Sequence, residues 1–218
     1  MAKTTIILLG LSLLIACRSD PGSRLPVEDL PSLRTERSKV KQSPLPEERS
    51  QRPSKVGLAM TDTLSIRHQV TATFLEEVGQ LEVGKNNHGP AIKKYLASVG
   101  LGEGYAWCAA FVKWVLSENG LPASGANAWS PSWFPASRVI YQRNSEAKGN
   151  PQSGDVFGIY FSTKKRIAHV GFIHEWTEKY AVTVEGNTND AGSREGDGVY
   201  RKKRLKRQIY AVADWITH

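Results

Sequence analysis

The sequence predicts an α+β domain, with helices first and an antiparallel sheet after them. Two patterns carry that reading. Between Leu64 and Glu118 apolar residues recur near the helical spacing of about 3.6. From Asp155 to the end the apolar period drops to two, as in half-buried strands. Helices that precede strands, rather than alternating with them, favour an antiparallel sheet with helices packed on it. Composition permits a proper core: of 218 residues, 40% are hydrophobic and 23% charged, as in ordinary globular chains. With 19 glycines and 11 prolines the chain is neither collagen-like nor wholly disordered. Two cysteines exclude a disulfide-stapled mini-protein and a four-cysteine zinc ribbon. A net charge of +8 directs attention to anionic partners: nucleic acid, a membrane surface or a cell-wall polymer.

The N-terminus reads as an address. Lys3 gives a short positive start, and Ile6 to Ala16 is an apolar run too short to span a bilayer. It ends in Leu14-Ile15-Ala16-Cys17, which resembles a bacterial lipobox. That resemblance implies a signal peptide over residues 1–16 and acylation of Cys17. Arg18, in place of a retaining aspartate, points to an outer membrane and the periplasmic side. Residues 18–56 contain six of the chain's eleven prolines, with serines and charges between them and no apolar period. A disordered linker over 17–56 is expected, with a reach of about 35 Å as a flexible coil.

The folded domain is expected over 57–218. Leu64, Ile66, Val70, Phe74, Leu75 and Val78 mark a first helix. Asn86-Asn87-His88-Gly89-Pro90 is a turn, and Pro90 suits the start of a second helix that ends at Gly100. Trp107 to Glu118 is a third, ended by Asn119-Gly120. Residues 121–135 form a loop rich in Trp, Pro, Ser and Ala. Strands are expected at Asp155–Phe161, Arg166–Trp176, Tyr180–Glu185, Val199–Leu205 and Gln208–Asp214.

Within this frame a few residues carry chemistry. With Cys17 acylated, Cys108 has no disulfide partner in the chain. It opens a predicted helix, where the macrodipole favours thiolate, the nucleophilic form. Taken alone it is equally well read as a buried structural cysteine. Of five histidines, only His169 and His174 fall in predicted strands. If Val170 and Phe172 face the core, His169 and Gly171 face the other way, and His174 shares the Val170 side. A neutral imidazole near Cys108 would serve as its base and later as an acid for a leaving amine. The same parity puts Val182 and Val184 in the core and Glu185 on the His169 side. Asn187 follows Glu185 there if the strand continues. Glu185 could then fix the ring's tautomer, and Asn187 could orient the ring or stabilise an oxyanion.

Four segments in order resemble the CHAP family, the cysteine, histidine-dependent amidohydrolases/peptidases. They are Trp107-Cys108-Ala109-Ala110-Phe111-Val112 with Trp114, then Ser153-Gly154-Asp155-Val156, then Ala168-His169-Val170-Gly171, then Val184-Glu185-Gly186-Asn187. The resemblance covers roughly residues 70–215 and implies a papain-like fold, with helices packed on an antiparallel sheet. It implies Cys108 as nucleophile, His169 as base, Glu185 as the orienting acid and Asn187 as a fourth member. It also implies peptidoglycan as substrate, cut by an N-acetylmuramoyl-L-alanine amidase or a stem-peptide or cross-bridge endopeptidase. Asp155 reads as structural.

Tyr105, Trp107 and Trp133 are candidate substrate-binding residues, since aromatic faces suit sugar and peptide, and Asn87 is another, on a turn that could approach the cleft. Some relatives bind calcium, but Asp190, Glu195 and Asp197 lack a calcium-loop spacing, so no metal and no cofactor is expected. Arg201 to Arg207 places six positive charges in seven positions. Solvated strand faces are the plain reading of that run; behind a secretory signal, nucleic acid is not expected. A monomer attached to the membrane through its lipid completes the reading. Two alternatives stay open: a non-catalytic wall- or partner-binding module, and a transpeptidase or acyltransferase using the same thioester.

Overall fold

A computed structural model of the chain describes residues 55–191 and 195–217, with side chains from residue 62 onward. The chain divides into two units, Met1–Arg49 and Ser50–His218, and every described residue belongs to the second. The signal segment, Cys17 and the linker lie outside the described residues, except for Lys55 and Val56, which open the first helix.

The helical period resolves into α1 (Lys55–Glu76), α2 (Pro90–Ala97) and α3 (Cys108–Glu118). Among the described residues no helix is long and apolar enough to cross a membrane. Six strands follow: β1 (Val139–Gln142), β2 (Val156–Phe161), β3 (Arg166–Trp176), β4 (Tyr180–Thr188), β5 (Gly198–Leu205) and β6 (Ala211–Ala213). They form one antiparallel sheet in the order β1-β6-β2-β3-β4-β5, so the α+β class holds. β1 is absent from the sequence expectation because four residues, Val-Ile-Tyr-Gln, are too few to display a period. β6 is shorter than expected because Lys206–Gln208 closes into a 3-10 turn.

The sheet has two unlike faces. One carries Val156, Val170, Phe172, Val184 and Val199 against the helices, in a core that includes Phe74, Ile92, Tyr95, Phe111 and Leu116. Phe74 stacks on Phe172 at 5.0 Å, and Phe111 meets Phe172 edge-on at 6.1 Å. Each such buried ring contributes about 2–3 kcal/mol of transfer free energy. The other face holds a smaller cluster of Phe157, Ile173, Ala181, Ile209 and Val212. Strand alternation is what divides Val170 and Phe172 from Ile173 and, with it, His169 from the core. Arg67 of α1 ties the layers together, reaching Asp155 at 2.8 Å and Asp214 at 2.9 Å.

Candidate active site

Cys108 is the first residue of α3, after Trp107, and is 7% exposed. α3 lies across β3 and β4 where those strands diverge: their pairing runs from Trp176/Ala181 only as far as Phe172/Val184. Gly186 lets the helix sit there, since a Cβ on it would fall 2.6 Å from the Trp107 ring and 2.8 Å from Phe111. Beyond Phe172, the backbone N–H of Val170 and the imidazole of His169 both bear on the Cys108 sulfur and favour its thiolate. The Ser130 hydroxyl lies 3.9 Å from the sulfur.

The other imidazole nitrogen is committed. Nε2 of His169 donates to Oε2 of Glu185 at 2.9 Å, which leaves Nδ1 facing Cys108. Glu185 has no exposure to water. Its remaining donors are the Thr183 hydroxyl and the Arg204 guanidinium, which contacts both carboxylate oxygens. Burial pushes the carboxyl group up, but the Arg204 hydrogen bonds, then His169, hold it well below the usual carboxylate range. For His169, burial works against the charged form; the hydrogen bonds and charges of Cys108 and Glu185 outweigh it and raise the imidazole to about 9. Burial likewise opposes ionisation of Cys108. The hydrogen bond and charge of His169, the Val170 N–H and Ser130 win, and the thiol ionises below its ordinary range. The same contacts thus favour the thiolate of Cys108 and the imidazolium of His169, beside an ionised carboxylate.

The remaining sequence candidates divide. Asn187 does not join the His169 hydrogen bonds. Its register shifts between Glu185 and Thr188, and its φ is +54°. That bulge breaks the parity that would have carried it beside Glu185, and its amide donates to Oδ1 of Asn87 at 2.8 Å and to Glu82 at 3.5 Å. Asn87 is half-buried, with its own N–H donating to Glu82 at 2.7 Å. Trp107 and Trp133 are corrections: both are wholly buried and cannot present a face to substrate. The Trp107 indole donates to Glu82 at 2.8 Å and stacks on Tyr95; that of Trp133 donates to the Asn127 carbonyl and its ring packs on Trp215. Tyr105, 58% exposed, stays available, and Trp129 beside Ser130 is 57% exposed. His174 packs edge-on against Phe74 on the helix side.

Arg204, Thr183, Ser130 and Glu82 were not found by sequence reasoning. The strand alternation used for Glu185 separates Arg204 and Lys202 from Arg201 and Lys203, but only the β4–β5 register says which pair meets Glu185. The structure divides the basic run accordingly. Arg201 pairs with Glu175, Lys203 and Lys206 lie over the rings of Tyr180 and Trp176, and Lys202 and Arg204 turn to the His169 side. Among the described residues, no group of three or more His, Cys, Asp or Glu gathers to hold a metal ion.

A family model described as CHAP domain matches residues 100–187. The match starts just before α3 and contains Cys108, His169, Glu185 and Asn187. Such domains are typically cysteine- and histidine-dependent amidohydrolases, a class that includes peptidoglycan amidases and peptidases. No curated protein and no solved structure matches the chain.

Proposed function

We propose that this chain hydrolyses an amide bond of peptidoglycan through Cys108. One observation carries the reading: a thiol at a helix start is drawn toward its thiolate by an imidazole whose other ring nitrogen is held by a buried carboxylate. The Cys108 thiolate attacks the amide carbonyl and forms a C–S bond. His169 passes its Nδ1 proton to the nitrogen as the C–N bond breaks, and a thioester and a free amine result. Water then attacks the thioester, His169 takes its proton, and the C–S bond breaks to release the acid and restore the thiolate. Glu185 keeps the ring in the productive tautomer throughout. Tyr105, three residues before Cys108, and Trp129, next to Ser130, are both exposed and suit sugar or peptide faces.

Attachment to a membrane through acylated Cys17, facing the periplasm from the outer membrane, is part of the same reading and rests on the sequence alone. The test is digestion of purified peptidoglycan by the full chain and by Cys108→Ala, with mass spectrometry of the soluble products. We expect new fragments from the parent only, their masses naming the bond cut. Fragments released equally by Cys108→Ala would end the proposed mechanism. Products joined to an added amine would reassign the chain as a transferase. No fragments, with Cys108 inert to iodoacetamide at pH 7, would leave a binding module.

A further inference from the structure

A cleft of about 430 Å³ opens on the far face of the sheet, with His169 in its wall and Cys108 outside its lining. Its lining combines the apolar Ile159 and Tyr160 with the cations Arg143, Lys202 and Arg204. No described Asp or Glu lines it. The three cations are not equally engaged. Arg204 is spent on Glu185. Lys202 bonds the Asn189 carbonyl, and its nearest carboxylate, Asp190 at 3.7 Å, is largely exposed, so that pair is screened and weak. Arg143 donates to the Arg207 carbonyl at 2.9 Å and lies 5.5 Å from the Tyr210 ring. It makes no ion pair among the described residues. A half-enclosed cleft with two cations to spare and no lining carboxylate is built for an anion.

Its position says which part of a substrate would bring that anion. His169 gives its proton to the leaving amine. The fragment bonded to that amine must lie on the imidazole's side of the scissile bond, over this cleft. We propose that the cleft binds the amine-side fragment of the substrate through a free carboxylate, with Arg143 and Lys202 as the residues that recognise it. The assignment rests on reading Cys108 and His169 as an amide-cleaving pair. It selects peptides that are acidic beyond the scissile amide over their amidated counterparts.

Two synthetic muramyl stem peptides test it. They are identical except that every carboxyl group beyond the first amide is free in one and a carboxamide in the other. Binding is measured by calorimetry to the full-length Cys108→Ala chain, with and without Arg143→Gln and Lys202→Gln, each variant checked for parental melting temperature. The acidic peptide should bind about tenfold more tightly than its twin. The double substitution should remove the preference while leaving the amidated peptide's affinity unchanged. Equal affinity for the two peptides, no binding of the acidic one, or a preference that survives both substitutions would overturn the assignment. Cleavage by the parent chain is scored separately. Selective binding without cleavage would keep the carboxylate site and remove the hydrolase; equal cleavage of both peptides would do the reverse.

Discussion

A carboxylate sealed from water keeps its charge only when donors surround it, and Glu185 has them from Thr183, His169 and both arms of the Arg204 fork. Its negative charge in turn favours the protonated imidazole. Glu185→Gln retains the shape and removes the charge, so the His169 pKa should fall from about 9. The imidazolium form would then be lost at lower pH. The alkaline limb of kcat/KM, set by loss of that proton, should move to lower pH, and kcat should drop by about two to four orders of magnitude. An alkaline limb that stays in place would remove Glu185 from this role. Arg204→Met tests the same carboxylate from the other side. It leaves a buried charge with half its donors gone and should destabilise the fold by about 3 kcal/mol, read from urea denaturation. Arg204→Lys restores the charge without the fork and should recover part of that loss.

At the scale of elements, the site depends on how closely α3 approaches β4. Gly186→Ala pushes a methyl group into Trp107 and Phe111, both wholly buried. Overpacking of this kind costs about 1–3 kcal/mol. The displaced helix start should also slow alkylation of Cys108 by iodoacetamide at pH 7; an unchanged labelling rate would show that the seat of α3 does not govern the thiol. The same elements show what was legible beforehand. His169 and Glu185 could be placed by parity because β3 alternates from His169 to Ile173, between its two bulges, and β4 alternates up to Glu185. Asn187 could not, because the bulge two residues later is a property of the β4–β5 pairing, which no single strand encodes. Arg204 was hidden for the same reason: it pairs opposite Ala181 and reaches along the strand to Glu185. Cys108 was legible as a helix start, but the partner Ser130 lies in a loop without period. Trp107 and Trp133 were misplaced because an aromatic residue at a loop or helix end carries no sign of which way it faces.

At the scale of the molecule, Arg67 is the residue that joins helix layer, sheet and C-terminal segment. Its guanidinium bonds the Ser153 carbonyl at 3.0 Å, Asp155 at 2.8 Å and Asp214 at 2.9 Å, with Asp155 wholly buried. Burial pushes the Asp155 carboxyl up to about 6 even though Arg67 pulls it down. Arg67→Met fills the same space with an apolar side chain and strands both carboxylates. Breaking a buried pair from one side costs about 3–5 kcal/mol, a fall in melting temperature on the order of 10 °C for a domain of this size. The pH dependence fixes the cause. Without Arg67 the Asp155 pKa rises further, so between the ordinary aspartate value and this raised one the folded state binds more protons than the unfolded state. Stability of the variant must then rise as pH falls through that window. Melting curves at pH 7 and pH 5 should show the deficit of Arg67→Met against the parent shrinking on acidification. A deficit equal at both pH values would mean that lost packing along α1, and not stranded charge, is what the substitution exposes.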